Sequence, residues 1–221
     1  ISVDNELIAG EFNPMLFIVG GGAIGALLVG VADDVLGLRA ALKLLLLIGV
    51  AVGIAYGGVR PEILAPWPGL SLPMPVWLAI GGSALWLIVV MNAVNFMDGA
   101  NGLAMGMGAI AAAGFTICAA LLGRWDVAVT AGALTGALSG FLVWNVSGRL
   151  FAGDAGALFV GAMLGGLGLE IVRVRPDLLL VPPTLMLPFL SDVLLTLVWR
   201  AKHGKKLFQA HRDHSYQIAI K

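Results

Sequence analysis

The sequence predicts an all-α protein, a polytopic bundle of transmembrane helices. Hydrophobic residues make up 59% of the 221 residues and charged residues only 12%, whereas a soluble domain carries about 25% charged residues. The mean hydropathy is +0.97, and the apolar residues fall into runs long enough to cross a bilayer. The net charge is zero, so the chain lacks the basic footprint of a protein that binds nucleic acid.

About seven apolar spans follow one another, and no soluble domain interrupts them. They cover approximately residues 15–32, 41–56, 76–91, 103–122, 127–144, 157–171 and 178–199. We therefore predict a single integral membrane domain over residues 1–221. The loop over residues 57–75 holds five of the ten prolines, so it cannot form a continuous helix. Three prolines in the last span predict a kink or a break there.

Basic residues are unequally divided between the two sides of the predicted bundle. Because consecutive spans alternate sides, nine Lys and Arg residues fall on one side and four on the other. The positive excess assigns the first side to the cytoplasm. The loops rich in Asp, Asn and His all fall on this side, so we expect them to meet at one membrane face. The loops of the other side are expected to hold turn residues and little else.

The most informative stretch covers residues 92–104, between two apolar spans. Asn92, Asn95 and Asp98 are spaced i, i+3, i+6, which places two amides and one carboxylate on one helical stripe. Carboxylate and amide oxygens are ligands that Mg²⁺ prefers. The alternative is an Asp-Gly turn with Asn caps and no bound ion.

Two adjacent carboxylates, Asp33 and Asp34, follow the first span. The partial negative charge of a helix C-terminus disfavours each by about 0.3–1 kcal/mol, and the two also repel each other. A cation or a proton must offset this repulsion. The alternative is that both are solvated at the membrane edge.

Two more polar motifs belong to the same side. Asp154 follows Gly153 at the start of the sixth span, where it either caps the helix or helps its N-terminus to bind phosphate. Taken alone, the cap is the simpler interpretation. His211, Arg212 and His214 in the tail suit a pyrophosphate. A basic tail that satisfies the positive-inside rule is the alternative, and it explains the neighbouring lysines better than the histidines.

Taken together in this order, the motifs resemble those of the polyprenyl-phosphate N-acetylhexosamine-1-phosphate transferase superfamily. They are Asp-Asp-x-x-Gly-Leu at 33–38, Asn-x-x-Asn-x-x-Asp-Gly-x-x-Gly-Leu-Ala at 92–104, Gly-Asp-x-Gly at 153–156, Pro-x-x-x-Asp at 188–192 and His-x-x-His at 211–214. The resemblance covers essentially the whole chain. The tail is similar to that of the O-antigen-type and N-acetylglucosaminyl branch, and it differs from the triple-His pattern of the phospho-N-acetylmuramoyl-pentapeptide branch.

The resemblance implies a multi-pass enzyme of the bacterial cytoplasmic (inner) membrane whose active face is cytoplasmic. It would move a sugar-1-phosphate from a UDP-N-acetylhexosamine to undecaprenyl phosphate, release UMP and initiate a cell-envelope polysaccharide such as the O-antigen of lipopolysaccharide. The alternative is the phospho-N-acetylmuramoyl-pentapeptide transfer of peptidoglycan synthesis. Phosphoryl transfer between two anionic substrates needs Mg²⁺, or in its place Mn²⁺. The same resemblance is compatible with a homodimer.

The resemblance also implies residue roles around the metal. Asp98 would bind Mg²⁺, with Asn95 nearby. Asp33 and Asp34 would help to hold the metal or accept the proton of the lipid phosphate, and which residue does which is open.

Other residues would bind the nucleotide. Asp154 would shape the nucleotide pocket, and Asn92 and Asn95 belong to the same binding face. His211, Arg212 and His214 would grip the phosphates of the nucleotide.

Two features depart from the family pattern. Many relatives have a second Asp where this chain has Asn101, which leaves that carboxylate without a role here. The family has more spans than this chain, so the resemblance implies that N-terminal spans, and one or more C-terminal ones, are missing. The rival classes are a non-catalytic membrane scaffold and an ion-coupled transporter. Transporters tend to place carboxylates near the bilayer midplane, whereas here only Asp192 falls within a span.

Overall fold

The computed structural model describes residues 13–67 and 69–202, and these residues are almost wholly helical. In chain order the elements are α1 (Pro14–Leu36), α2 (Ala40–Tyr56), β1 (Ile63–Trp67), β2 (Leu70–Pro73), α3 (Val76–Met97), α4 (Leu103–Leu121), α5 (Trp125–Asn145), α6 (Gly153–Val174), α7 (Val181–Leu185) and α8 (Leu187–Lys202). A short 3-10 helix, Pro176–Leu178, precedes α7.

Five of these helices, α1, α3, α4, α5 and α6, are long and apolar enough to cross a membrane. Residues 176–185 and 187–196 would together form a sixth span, bent by 69° at the break between them. With 17 residues, α2 is shorter, but it is apolar and occupies the place of the predicted second span. The predicted polytopic bundle is therefore confirmed, its count of about seven spans agrees roughly, and the expected break in the last span is present.

The central helix is α6. Its apolar window is 83% buried inside the protein, against 22% for the window of α1. A Cβ atom added to Gly161 of α6 would lie 2.6 Å from the Cα of Met91 on α3. A Cβ added to Gly30 of α1 would lie 2.4 Å from the Cα of Ala155 on α6. Small residues thus allow the backbones of α1 and α3 to pack directly against α6.

The proline-rich loop forms a β-hairpin, which the sequence analysis did not predict. Ile63 pairs with Pro73 and Leu64 pairs with Leu72 in an antiparallel arrangement. Prolines such as Pro66 are tolerated because each strand of a two-stranded sheet is an edge strand and needs hydrogen bonds on one side only. The all-α prediction therefore holds for the spans and misses this connection.

An ionic network lies at the end of the bundle where α1 and α5 begin and α6 ends. Glu170, fully buried on α6, accepts hydrogen bonds from Arg173 at 2.9 and 3.0 Å and from Asn13 at 3.5 Å. Asn13 also donates to Asp126 at 2.8 Å, and Asp126 pairs with Arg124 at 2.7 Å. The expectation that this side holds only turn residues was wrong, because these paired charges tie three helices together, as buried charges must be paired.

Candidate active site

Four carboxylates converge at the opposite end of the bundle, where α1 and α3 end and α6 begins. Asp33 and Asp34 lie in the last turn of α1, which continues to Leu36 instead of ending before the two carboxylates. Asp98 directly follows α3, and Asp154 is the second residue of α6. The structure thus brings together four of the residues that the sequence analysis placed on one membrane face.

The amino group of Lys43 on α2 joins two of these carboxylates. Its Nζ lies 2.8 Å from Oδ2 of Asp33 and also bonds Oδ2 of Asp154. Because the Lys43 side chain is only 14% exposed, this double ion pair is worth more than a pair on an open surface. From the sequence, Lys43 entered only the charge asymmetry between the two sides, although a lysine within an apolar helix is a functional candidate by default.

The two asparagines of α3 make different contacts. With its amide nitrogen facing Asp154, Asn95 donates to Oδ1 of Asp154 at 2.9 Å and accepts from Nζ of Lys43 at 3.1 Å. Asn92 donates to the carbonyl of Ile88 on its own helix at 2.8 Å. Asn95 therefore helps to hold the Lys43 ion pairs, and the roles expected of both asparagines toward a metal or a nucleotide stay predictions.

Asp34 caps the N-terminus of a different helix. Its Oδ1 accepts from the backbone N–H of Asp154 and its Oδ2 from the backbone N–H of Ala155, both at 3.1 Å. Gly153 has a φ of +62°, and a Cβ there would lie 2.8 Å from Oδ2 of Asp34, so this position requires glycine. The simpler interpretation of Asp154 as the cap of its own helix was wrong, because Asp34 supplies the cap while Asp154 turns to Lys43.

Asp98 differs from the other three carboxylates, each of which bonds either the ammonium group of Lys43 or backbone N–H groups of α6. In the part of the chain that the structure describes, no hydrogen bond or ion pair reaches its carboxylate. Burial, together with the negative charges of Asp154 and Asp34, raises the pKa of Asp98 to about 6. A bound cation or a proton would stabilise a carboxylate in this environment.

The oxygen donors at this end suit a hard cation, but they are not arranged as a complete cage. Across residues 13–67 and 69–202, no three His, Cys, Asp or Glu side chains are grouped so that they could hold a metal ion. Mg²⁺ commonly takes only one or two protein carboxylates and completes its octahedron with water and substrate phosphates. The uncompensated Asp98, close to the negative charges of Asp34 and Asp154, fits that pattern.

The remaining predicted residues are less informative. His211, Arg212 and His214 lie outside the described residues, so their contacts with phosphate stay predictions. Asp192 is buried on α8.

One more polar residue escaped the sequence analysis. Asn145 is the last residue of α5, and its buried side chain bonds two loops that lead to the site. A single asparagine at the end of an apolar run was the only signal, and such residues are common where helices end.

A family description and several curated relatives match this chain. The family description "Glycosyl transferase family 4" matches residues 16–172, which include all four carboxylates and Lys43. A phospho-N-acetylmuramoyl-pentapeptide-transferase of Desulforudis audaxviator is 32% identical over 216 residues, which is 88% of this chain and 64% of that protein. The protein of the same name from Symbiobacterium thermophilum is 32% identical over 228 residues, or 95% of this chain and 67% of the relative.

A third relative of that name, from Moorella thermoacetica, is 34% identical over 210 residues, which is 87% of this chain and 64% of the relative. The chain thus spans about two thirds of the length of these curated relatives.

Proposed function

This chain belongs to glycosyl transferase family 4, and on that premise we propose that it transfers a sugar-phosphate group from a UDP-linked donor to a polyprenyl phosphate and releases UMP. An oxygen of the lipid phosphate attacks the phosphorus that bears the sugar, and the bond to the UMP phosphate breaks. The observation that carries this proposal is the group of four carboxylates and Lys43 at one end of a membrane-spanning bundle. At that position a lipid phosphate held in the bilayer meets a soluble nucleotide sugar.

Charge balance supports a divalent cation at this site. Four carboxylates face one ammonium group, which leaves a net charge of about −3 when all four are ionised. Two anionic phosphate substrates would be repelled by such a surface. Mg²⁺ neutralises charge on the transferring phosphoryl group and lowers the barrier for attack by an anion. Asp98 is the proposed ligand because its carboxylate has no other compensating charge among the described residues.

The other side chains have distinct proposed roles. Lys43 neutralises Asp33 and Asp154 and fixes their separation. Asp34 holds the first turn of α6 and so sets the position of Asp154. The lipid phosphate needs little help to lose its proton, because a phosphate monoester has a second pKa of about 6. We therefore assign Asp33 and Asp34 to holding the charged site in place, with proton transfer as a secondary task.

Two donors have support, from different observations. The matched relatives are named phospho-N-acetylmuramoyl-pentapeptide transferases, so UDP-N-acetylmuramoyl-pentapeptide is the first choice and peptidoglycan the proposed product pathway. The His-Arg-Asp-His stretch at residues 211–214 resembles the branch that uses UDP-N-acetylhexosamines, which makes these the second choice. Undecaprenyl phosphate is the proposed acceptor, and the cytoplasmic face of the bacterial inner membrane is the proposed location of the site.

The test is UMP release by the protein, expressed from its complete gene and reconstituted in lipid nanodiscs. Undecaprenyl phosphate and Mg²⁺ are supplied with either UDP-N-acetylmuramoyl-pentapeptide or UDP-N-acetylglucosamine. We expect release that needs both lipid and metal, faster with the first donor. Faster release with the second donor would reverse the choice of substrate and retain the reaction class.

The matched controls are Asp98→Asn and Asp177→Asn. Asp177 is 54% exposed in an ion pair with Arg175, far from the four carboxylates. Release should disappear in Asp98→Asn and persist in Asp177→Asn. No release from either donor, or release that is indifferent to the lipid, would overturn the proposed function.

A further inference from the structure

The side chain of Asn145 joins two separate loops at the carboxylate end of the bundle. It is 3% exposed. Its Oδ1 accepts a hydrogen bond from the backbone N–H of Gly102 at 2.7 Å, and its Nδ2 donates to the backbone carbonyl of Leu150 at 2.8 Å. One buried amide therefore fixes the distance between two stretches of backbone that lie on opposite sides of α5 in the sequence.

Both of these stretches lead to proposed site residues. Gly102 lies four residues after Asp98, in the turn between α3 and α4, and its φ of +80° makes the turn possible. Leu150 lies four residues before Asp154, in the connection between α5 and α6. Asn145 is thus the shared anchor of the turn that carries Asp98 and of the segment that delivers Asp154 to Lys43.

Packing between the two loops is tight around this anchor. A Cβ added to Gly102 would lie 3.0 Å from Cγ2 of Val146, and a Cβ added to Gly148 would lie 3.2 Å from Nδ2 of Asn101. The backbone carbonyl of Asn145 also accepts from the N–H of Gly148 at 2.9 Å. The two loops are therefore in close contact around the Asn145 amide, which bonds both of them.

An asparagine meets a requirement here that few side chains meet. The position needs one acceptor and one donor on a short, buried side chain, and the primary amide supplies both. Removal of the amide would leave the N–H of Gly102 and the carbonyl of Leu150 without this partner at a partly buried position, so the loops would shift to find water or another partner. A shift of about 1 Å in a reacting group can cost on the order of a hundredfold in rate.

We infer that Asn145 is a positioning residue of the transferase site, which sets the separation between the Asp98 turn and the Asp154 segment without touching substrate. The inference rests on the proposed function, because the effect it predicts is a change in the rate of the proposed transfer reaction. It predicts that the Asn145 amide controls how well the site uses Mg²⁺, as well as the stability of the fold.

The test compares Asn145→Leu with Asn13→Leu in the reconstituted protein. Asn13 is a matched control, since its side chain is also buried and hydrogen-bonded, to Asp126, Glu170 and the backbone of Met15, and it lies about 30 Å along α1 from Asp33. Both variants should lower the unfolding temperature. Asn145→Leu alone should lower kcat for UMP release by about tenfold to a hundredfold and raise the Mg²⁺ concentration for half-maximal rate. Asn13→Leu should keep both within about twofold.

Asn145→Asp provides a second measurement that holds even if Asn145→Leu fails to fold. A protonated carboxyl group has the shape of the amide and again offers one donor and one acceptor. The rate of Asn145→Asp relative to the natural protein should therefore rise as the pH falls from 8.5 toward 6.5. The corresponding ratio for Asn13→Asp should not rise, because that substitution does not touch the two loops.

Hydrogen exchange separates the two ways in which the test can fail. The amide of Gly102 should exchange faster in Asn145→Leu than in the natural protein, whether or not UMP is released, because leucine offers its N–H no acceptor. Unchanged exchange, or parallel losses of activity in the Asn13 and Asn145 variants, would overturn the positioning role. Faster exchange in a protein whose natural form releases no UMP would instead overturn the proposed function and leave Asn145 as a purely structural clamp.

Discussion

The carboxylate of Asp34 on α1 accepts a hydrogen bond from the backbone N–H of Asp154 on α6 at 3.1 Å, so one helix supplies the cap of another. The side chain of Asp154 in turn bonds Lys43 on α2 and Asn95 on α3. Four helices therefore meet through side chains at the first turn of α6. Because these contacts share members, a change in one should alter both the stability of this end of the bundle and the reaction proposed for it.

Removal of the cap should loosen the start of α6. Asp34→Ala deletes both acceptors and should lower the free energy of unfolding by about 1 kcal/mol, whereas Asp34→Asn keeps one acceptor and should lose less. Thermal unfolding measures the loss, and hydrogen exchange at the amides of Asp154 and Ala155 shows where it arises. Asp177→Ala, which removes an exposed ion pair, is the control. Unchanged protection of the two amides in Asp34→Ala would contradict the capping role.

Replacement of the shared cation should destabilise the carboxylate cluster. Lys43→Met keeps the length of the side chain but leaves Asp33 and Asp154 without the ammonium group that bonds both. We expect a loss of about 1–3 kcal/mol in the free energy of unfolding, between the values for exposed and fully buried pairs.

A second substitution separates charge repulsion from lost packing. Adding Asp33→Asn to Lys43→Met removes one of the two like charges that Lys43 no longer neutralises, so part of the lost stability should return. Urea unfolding of the three proteins measures this. A double variant no more stable than Lys43→Met would show that the ion pairs do not determine stability here.

The protonation of Asp98 should be visible in the pH dependence of the free energy of unfolding. Burial and the charges of Asp154 and Asp34 raise its pKa from 3.8 to about 6, so the folded state binds this proton more tightly than the unfolded chain does. The stability from that proton is fully present below pH 3.8 and is lost as the pH rises through about 6. In metal-free buffer above pH 6, Asp98→Asn should therefore be more stable than the natural protein by about 1–3 kcal/mol.

Magnesium provides the control for that comparison. The advantage of Asp98→Asn should vanish below about pH 4, where the natural carboxyl group is protonated as well. At pH 8, Mg²⁺ should raise the unfolding temperature of the natural protein and leave that of Asp98→Asn unchanged, because a ligand stabilises only the state that binds it. Equal shifts in both proteins would place the metal elsewhere.

Gly30 lies where α1 and α6 cross closely, and this position should not tolerate an added methyl group. Gly30→Ala would put a Cβ 2.4 Å from the backbone of Ala155, so the helices must separate, at a cost of about 1–3 kcal/mol. Gly21→Ala, on the same helix with open space around it, should be neutral or slightly stabilising because alanine favours a helix. Equal unfolding temperatures for the two variants would contradict direct backbone packing at Gly30.

The sequence predicted the membrane spans and the clustering of carboxylates at one end because both follow from order along the chain. Long apolar runs cross a bilayer and must alternate sides, so Asp33, Asp98 and Asp154 share an end whatever the packing of the helices. It did not predict the β-hairpin, because Pro66 and its neighbours indicate only that a helix is absent. It also missed the network around Glu170, which depends on residues from three helices.

Sequence alone determined which residues of this protein lie at the carboxylate end, since hydropathy and alternation fix sides without any knowledge of contacts. Only the tertiary structure decided which hydrogen bonds and ion pairs those residues make. Asp34 caps α6, Lys43 joins Asp33 to Asp154, and Asp98 is left without compensation among the described residues. The physical reason is that ion pairs and caps between helices act over about 3 Å, and the distance between residues far apart in sequence is set by the packing of small residues such as Gly30 against α6.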